Sequence, residues 1–247
     1  IGIFIQDEYE LNEKSEINLG IRYDHYSDFG STLNPRLAWV YKISDRTIFK
    51  LLYGSAFRAP SLFEINAKNN PVRLGNPNLK PDTIDTFEAA WLLQINETNQ
   101  LNFNIYQNSR KDIIELIDGQ YANNGKEQGT GIEIEYFKQI TPYWQISSNF
   151  SIVRSEQTNN NQQQVSAIPQ KQFFFESLWD ITPELFFGIE THFILDRARA
   201  ADDSRPSIDN RYYANLHLKY QPAQEDFALR VGVTGIGQDD AFEPSSF

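Results

Sequence analysis

Apolar and polar residues alternate one for one through most of this chain, in runs too long for an ordinary globular strand. Ile17, Leu19, Ile21 and Tyr23 fall on one face of such a run, and Glu16, Asn18, Arg22 and Asp24 on the other. Leu37, Trp39, Tyr41 and Ile43 oppose Arg36, Ala38, Val40 and Lys42. Tyr212, Ala214, Leu216, Leu218 and Tyr220 oppose Tyr213, Asn215, His217 and Lys219. Side chains on a strand point to opposite faces in turn, so a period of two marks a strand with one apolar and one polar face. The pattern predicts twelve strands, near 3–9, 16–25, 33–43, 47–56, 84–96, 99–113, 130–140, 142–155, 170–181, 184–196, 210–221 and 225–235. Most exceed the roughly five or six residues of a globular strand. They match the roughly 9–11 residues that a tilted strand needs to cross a bilayer.

The predicted connections alternate in length. Short ones fall near 10–15, 44–46, 97–98, 141, 182–183 and 222–224, rich in the Asn, Asp, Pro and Ser that suit tight turns. Long ones fall near 26–32, 57–83, 114–129, 156–169 and 197–209, and from 236 onward. Asn159–Asn161 and Gln162–Gln164 form a small low-complexity tip. A soluble sandwich has no reason to gather its long loops at one end, whereas an outer-membrane barrel does so. Alternation by itself leaves open which face is buried: the apolar face is inside a soluble barrel and outside a membrane barrel. Aromatic residues near strand ends, among them Tyr9, Tyr23, Tyr41, Trp144, Trp179 and Tyr220, favour the membrane reading, since such rings prefer the water–lipid interface.

Composition removes several functions. The chain has no Cys, which excludes a disulfide framework, a thiolate metal site and a Cys nucleophile. A formal charge of −11 makes nucleic acid a poor partner. No stretch approaches the roughly 20 apolar residues of a membrane-spanning helix, so a span here requires a closed barrel. The absence of Met and the start at Ile1 lead us to expect a piece of a longer protein.

Four segments resemble the C-terminal barrel region of TonB-dependent outer-membrane receptors. Leu33-Asn-Pro-Arg-Leu-Ala-Trp39 is followed by Tyr53-Gly-Ser-Ala-Phe-Arg-Ala-Pro-Ser-Leu-Phe-Glu64. Gly75-Asn-Pro-Asn-Leu-Lys-Pro-Asp82 leads into Thr86-Phe-Glu88. Asn123-Asn-Gly-Lys126 precedes Gly129-Thr-Gly-Ile-Glu-Ile-Glu135. Gly232-Val-Thr-Gly-Ile-Gly-Gln-Asp-Asp240 with Glu243-Pro-Ser245 is a looser version of the family's pattern. Together they run in family order over nearly the whole chain. The resemblance implies an all-β, antiparallel transmembrane barrel of about 22 strands with a plugged lumen. On that reading residues 1–247 form a partial barrel domain lacking the plug, the early strands and the last strand. It also implies a multi-pass protein of the Gram-negative outer membrane, partnered by lipid, by an extracellular small-molecule chelate, and by TonB through the missing N-terminal region. The cargo stays open among ferric siderophore, haem, cobalamin, another metal chelate and oligosaccharide, with an iron chelate the commonest in the family. A passive porin and a soluble glycan-binding β module are the alternatives.

No catalytic constellation is legible, and no cofactor is expected. His25, His192 and His217 stand far apart and lack zinc-ligand spacing. Thr191 and His192 are neighbours on a strand and so point to opposite faces. Glu133 and Glu135 share a face and read as two acids facing a watery lumen. The candidate ligand contacts are loop arginines, because guanidinium pairs well with anionic oxygens. Arg197, Arg199, Arg205 and Arg211 cluster around one loop, and Arg58, Arg73 and Arg154 lie at or near others. Local pairing with Asp202, Asp203 and Asp209 is the plainer reading of that cluster. Tyr121, Phe29 and Phe63 are candidates for apolar contact with a chelate.

Overall fold

The computed structural model describes every residue except Pro71, 159–162, Ala167, 200–202, 224–225 and 238–247. Most of the Asn/Gln tip, Asp202 and the Glu243-Pro-Ser245 segment therefore lie outside the described residues. The elements are β1 (Gly2–Asn12), β2 (Ser15–Tyr26), β3 (Gly30–Ser44), β4 (Thr47–Arg58), α1 (Leu62–Asn66), β5 (Asp82–Asn96), β6 (Asn99–Ile117) and β7 (Gln120–Thr141). They continue with β8 (Trp144–Gln157), β9 (Gln163–Gln164), β10 (Lys171–Thr182), β11 (Leu185–Leu195), β12 (Arg211–Tyr220) and β13 (Leu229–Gly237). Each strand lies beside its neighbour in sequence, except that the two-residue β9 pairs with β8 off the main path. The pairings β1–β2, β2–β3, β3–β4, β8–β10, β10–β11, β11–β12 and β12–β13 are antiparallel, as hairpin connections require.

Five tight turns are built by one device. Asn12, Ser44, Asn96, Thr141 and Thr182 each close a strand, and each accepts the backbone N–H two residues on, at 2.9 to 3.3 Å. A short polar side chain that mimics a backbone turn is why Asn, Ser and Thr sit there.

Register sorts the side chains. In one compact unit (1–90, 105–130 and 155–164), Leu19 faces Leu37 and Leu37 faces Tyr53, while Ile17 faces Trp39 and Trp39 faces Leu51. In the other (91–104, 131–154 and 165–247), Phe173 faces Phe193 and Phe193 faces Tyr212. On the opposite face of those strands Glu176 meets Glu190 and Glu190 meets Asn215. The apolar face is not buried: Leu19, Leu33, Phe87, Trp179, Tyr212 and Val231 are all exposed. Leu79, Ile113, Ile114 and Ile208, with Pro60 and Pro81, make up the buried apolar side chains among the described residues. A water-soluble β protein of this length would bury the apolar side of its sheet, and large exposed apolar surface marks contact with a membrane or another protein.

The structure corrects several expectations. The loop placed near 114–129 is strand: β6 and β7 run on to a two-residue turn at Asp118 (φ 48°) and Gly119 (φ 81°). Positive φ at both central residues is the hairpin geometry that Asp-Gly favours. The connection placed near 26–32 shrinks to 27–29, because β2 extends to Tyr26 and β3 starts at Gly30. The last strand starts later than 225, at Leu229. Two unforeseen elements, α1 and β9, appear within the long connections, giving thirteen strands among the described residues rather than twelve.

One close packing yields a test. Gly188 on β11 lies opposite His217 on β12, and a Cβ on Gly188 would collide with the His217 imidazole. Gly188→Ala is expected to cost about 1 kcal/mol by overpacking. Adding His217→Ala should remove most of that cost, which a double-mutant cycle of denaturant unfolding measures.

Candidate functional site

The long connection 59–81 and the β6–β7 hairpin carry the candidates of the first unit. Arg58 closes β4, because Pro60 lacks a ladder donor and restricts Ala59. Its Nε donates to Asp82 Oδ2 at 3.1 Å, and its Nη1 donates to Glu64 at 3.2 Å. Asp82 opens β5 and is 3% exposed. The same Oδ2 accepts from Arg110 Nη2 on β6 at 3.2 Å, and Arg110 Nη1 donates to Glu127 on β7 at 2.8 Å. The result is a chain of alternating charge, Glu64–Arg58–Asp82–Arg110–Glu127, that crosses four consecutive strands. Glu64 also completes a capping box with Ser61, accepting the Ser61 N–H at 2.7 Å while its own N–H donates to Ser61 Oγ. Burial alone would raise the Glu64 pKa, but the Ser61 hydrogen bonds and Arg58 prevail and hold it below the ordinary carboxylate value.

Tyr121 lies at the start of β7, and its ring meets Phe63 edge-on at 6.2 Å. Phe29 stacks on Tyr26 at 4.5 Å, apart from that pair. Arg73 is exposed in the connection, its backbone N–H donating to Asn70 Oδ1 at 3.1 Å.

In the second unit the arginines of 196–210 turn inward on their own loop. Arg205 makes a forked contact with Asp203, with Nε to Oδ1 at 2.8 Å and Nη2 to Oδ2 at 2.6 Å. Arg199 reaches the same carboxylate at 3.4 Å and donates to the Pro206 carbonyl at 2.6 Å. Arg197 is buried and donates to the Asp209 carbonyl at 3.2 Å. The Arg205 hydrogen bond, with help from Arg199, holds the Asp203 carboxyl far below the usual carboxylate range. A depressed folded-state pKa means that this contribution is present above the unfolded value, near 4, and is lost only as pH falls toward the lower folded value. The loop should therefore keep one arrangement from neutral to mildly acidic pH. Asp203→Ala should open the chain after Arg199 to trypsin, with cleavage faster by roughly an order of magnitude; the Arg205–Pro206 bond is not a trypsin site.

Arg154 is exposed near the end of β8. Arg211 lies over the Tyr213 ring at 5.1 Å, Tyr213 stacks on His192 at 4.6 Å, and His192 meets Phe174 at 4.9 Å. This aromatic ladder across β10, β11 and β12 went unforeseen. Nothing in the spacing of single residues announces it, because it depends on cross-strand register. The charge chain went unforeseen: Arg58 was a candidate ligand contact, Glu64 and Asp82 stood only in segments that carry the family resemblance, and Arg110 and Glu127 carried no signal. Arg58, Arg73 and Tyr121 share the first unit, and Arg154, Arg197, Arg199 and Arg205 share the second.

Glu135 accepts amide hydrogens from Asn102 at 3.1 Å and Asn149 at 3.5 Å. His25 Nδ1 meets Ser31 Oγ at 2.9 Å, and that hydroxyl also meets Tyr23. Among the described residues no group of three or more His, Asp or Glu could hold a metal ion. Among the described residues no helix is long and apolar enough to cross a membrane.

Residues 1–235 match the family model described as TonB dependent receptor-like, beta-barrel. The iron-regulated outer membrane virulence protein of Vibrio cholerae is 26% identical over 206 residues, covering 74% of this chain and 32% of that protein. The probable TonB-dependent receptor BfrD of Bordetella pertussis is 25% identical over 216 residues, covering 76% of this chain and 29% of that one. This chain thus spans about a third of the length of these relatives. Among solved structures, the ferric enterobactin receptor of Pseudomonas aeruginosa superposes with a TM-score of 0.80 at 17% identity, over 95% of this chain and 39% of the other. That likeness shows a shared fold.

Proposed function

This chain belongs to the TonB-dependent receptors, through their β-barrel domain, and from that premise we propose that it is part of an outer-membrane importer of a scarce nutrient. The observation that carries the proposal is the exposed apolar face: long strands whose outward residues are Leu, Ile, Phe, Trp and Tyr suit lipid, and their polar faces suit a watery lumen. The whole protein takes up a ferric siderophore or another metal chelate and is energised through TonB by way of a segment outside this chain. The names of its relatives, an iron-regulated outer-membrane protein and a ferric enterobactin receptor, support iron chelate as the cargo class. The proposed roles are structural and recognitive, with no catalysis. Arg58, Arg197, Arg199 and Arg205 stiffen the loops through their carboxylate and carbonyl partners, while Arg73, Arg154 and Tyr121 are the exposed or half-exposed contacts for an anionic ligand.

The test is radioiron uptake in cells that lack their own ferric enterobactin receptor and express the full-length protein. Uptake that disappears when the TonB system is deleted is the expected result. Uptake that persists without TonB would replace the gated importer with a passive pore, and retention of the protein in the soluble fraction would remove the membrane reading altogether.

A further inference from the structure

Over Leu74–Lys80 the connection 59–81 is sewn to the β6–β7 hairpin. Leu74 N donates to the Gly119 carbonyl at 2.7 Å, and Tyr121 N donates to the Leu74 carbonyl at 3.0 Å, so the loop adds one rung of parallel sheet to the hairpin tip. Asn76 Nδ2 donates to the Tyr121 carbonyl at 3.0 Å. Lower down, Asn123 acts as a two-sided clamp: its Oδ1 accepts from Lys80 N at 2.8 Å, and its Nδ2 donates to the carbonyls of Lys80 at 2.8 Å and Asp112 at 2.7 Å. Leu79, the residue before Lys80, is 3% exposed. Within the loop, Gly75 N donates to the Ala67 carbonyl at 2.8 Å, and Asn76 N donates to the Glu64 carbonyl at 2.8 Å. A Cβ on Gly75 would stand 2.5 Å from Ala67 N, so only glycine lets the loop double back so tightly.

We propose that this loop is a fixed ledge, clasped to the β6–β7 hairpin by Asn76 and Asn123 so that the two elements move as one body and not as lid and wall. A long polar loop without such bonds would sample many states and lose that freedom on binding. Here seven loop–hairpin and loop–loop hydrogen bonds have already ordered it, and they set Tyr121 against Phe63 before any ligand arrives. The role of those rings as ligand contacts rests on the receptor reading; the clasp does not.

The chain has no cysteine, so spin labels can be placed pairwise in the full-length protein in detergent after any cysteines outside this segment are removed. One pair is Lys68→Cys on the loop with Lys111→Cys on β6, and the reference pair is Lys111→Cys with Gln128→Cys on the adjacent strands β6 and β7; all three positions are exposed. The proposal expects the loop-to-strand distance distribution to be as narrow as the strand-to-strand one. It also expects the combined Asn76→Ala and Asn123→Ala variant to broaden the first distribution and leave the second unchanged. A loop-to-strand distribution already broad in the parent, or one indifferent to loss of both asparagines, would overturn it. Neither readout uses a ligand, so failure of the clasp is distinguishable from failure of the importer assignment.

Discussion

Ile189→Arg is expected to destabilise the full-length protein in lipid by about 2–4 kcal/mol, while Glu190→Gln, one residue along the same strand, is expected to cost under about 1 kcal/mol. The two side chains leave β11 on opposite faces near its middle. Ile189 pairs across the sheet with Ser177 and Leu216, beside Phe187, Phe193 and Tyr212 on the same face. Glu190 pairs with Glu176 and Asn215 and accepts from the Asn215 amide at 3.3 Å. If the apolar face meets hydrocarbon, an arginine there loses its hydration, whereas the polar face stays wet and tolerates the loss of one carboxylate. Unfolding by urea from lipid vesicles measures both variants. Equal costs, or a larger cost for Glu190→Gln, would mean that the faces are assigned the wrong way round.

Asp82→Ala is expected to cost about 2–3 kcal/mol. Asp82 is the middle link of the charge chain, and its Oδ2 serves both Arg58 and Arg110. Both arginines would lose that partner, one at the end of β4 and one within β6, while Glu64 and Glu127 each keep one of them. The cost stays below that of a fully buried broken pair because the Arg58 and Arg110 side chains are 46% and 36% exposed. Asp82→Asn should recover part of the loss by keeping a carbonyl acceptor in place. The temperature at which the folded, fast-migrating form is lost on detergent gels reports the series, in the order parent, Asn, Ala. An Ala variant as stable as the parent would show that the chain of charges is ornamental to the loop's return.

The strands were readable in the sequence because a sheet with one apolar and one polar face writes a period of two into its residues. That signal fails where neither face is apolar. Gln120–Gln128 of β7 carries Asn123, Asn124, Lys126 and Glu127 on both faces, so the stretch reads as loop although it is strand. The Asp118-Gly119 turn was the available correction, since that dipeptide favours a two-residue hairpin. The helix α1 was also spelled out, as Ser61-Leu-Phe-Glu64, a capping box in sequence. Five residues are too few for a helical period to show. The loop arginines were legible as a cluster, and local pairing with Asp203 was foreseen. That Arg197 turns to the Asp209 carbonyl depends on how its own loop folds back, and that Arg110 reaches back to Asp82 depends on register between strands; residue spacing along one strand encodes neither. The Gly75-Asn-Pro segment was legible as one that carries the family resemblance, but its amide clamp onto β7 appears only when residues 45 apart in sequence meet at Asn76 and Tyr121.

The most direct test of the membrane assignment is to express the full-length protein, separate inner and outer membranes, and run the outer-membrane fraction with and without boiling. The account predicts a band in the outer membrane that migrates faster unheated than heated, because a closed barrel resists detergent until it is melted. A protein recovered in the soluble fraction, or one whose migration ignores heating, would contradict it.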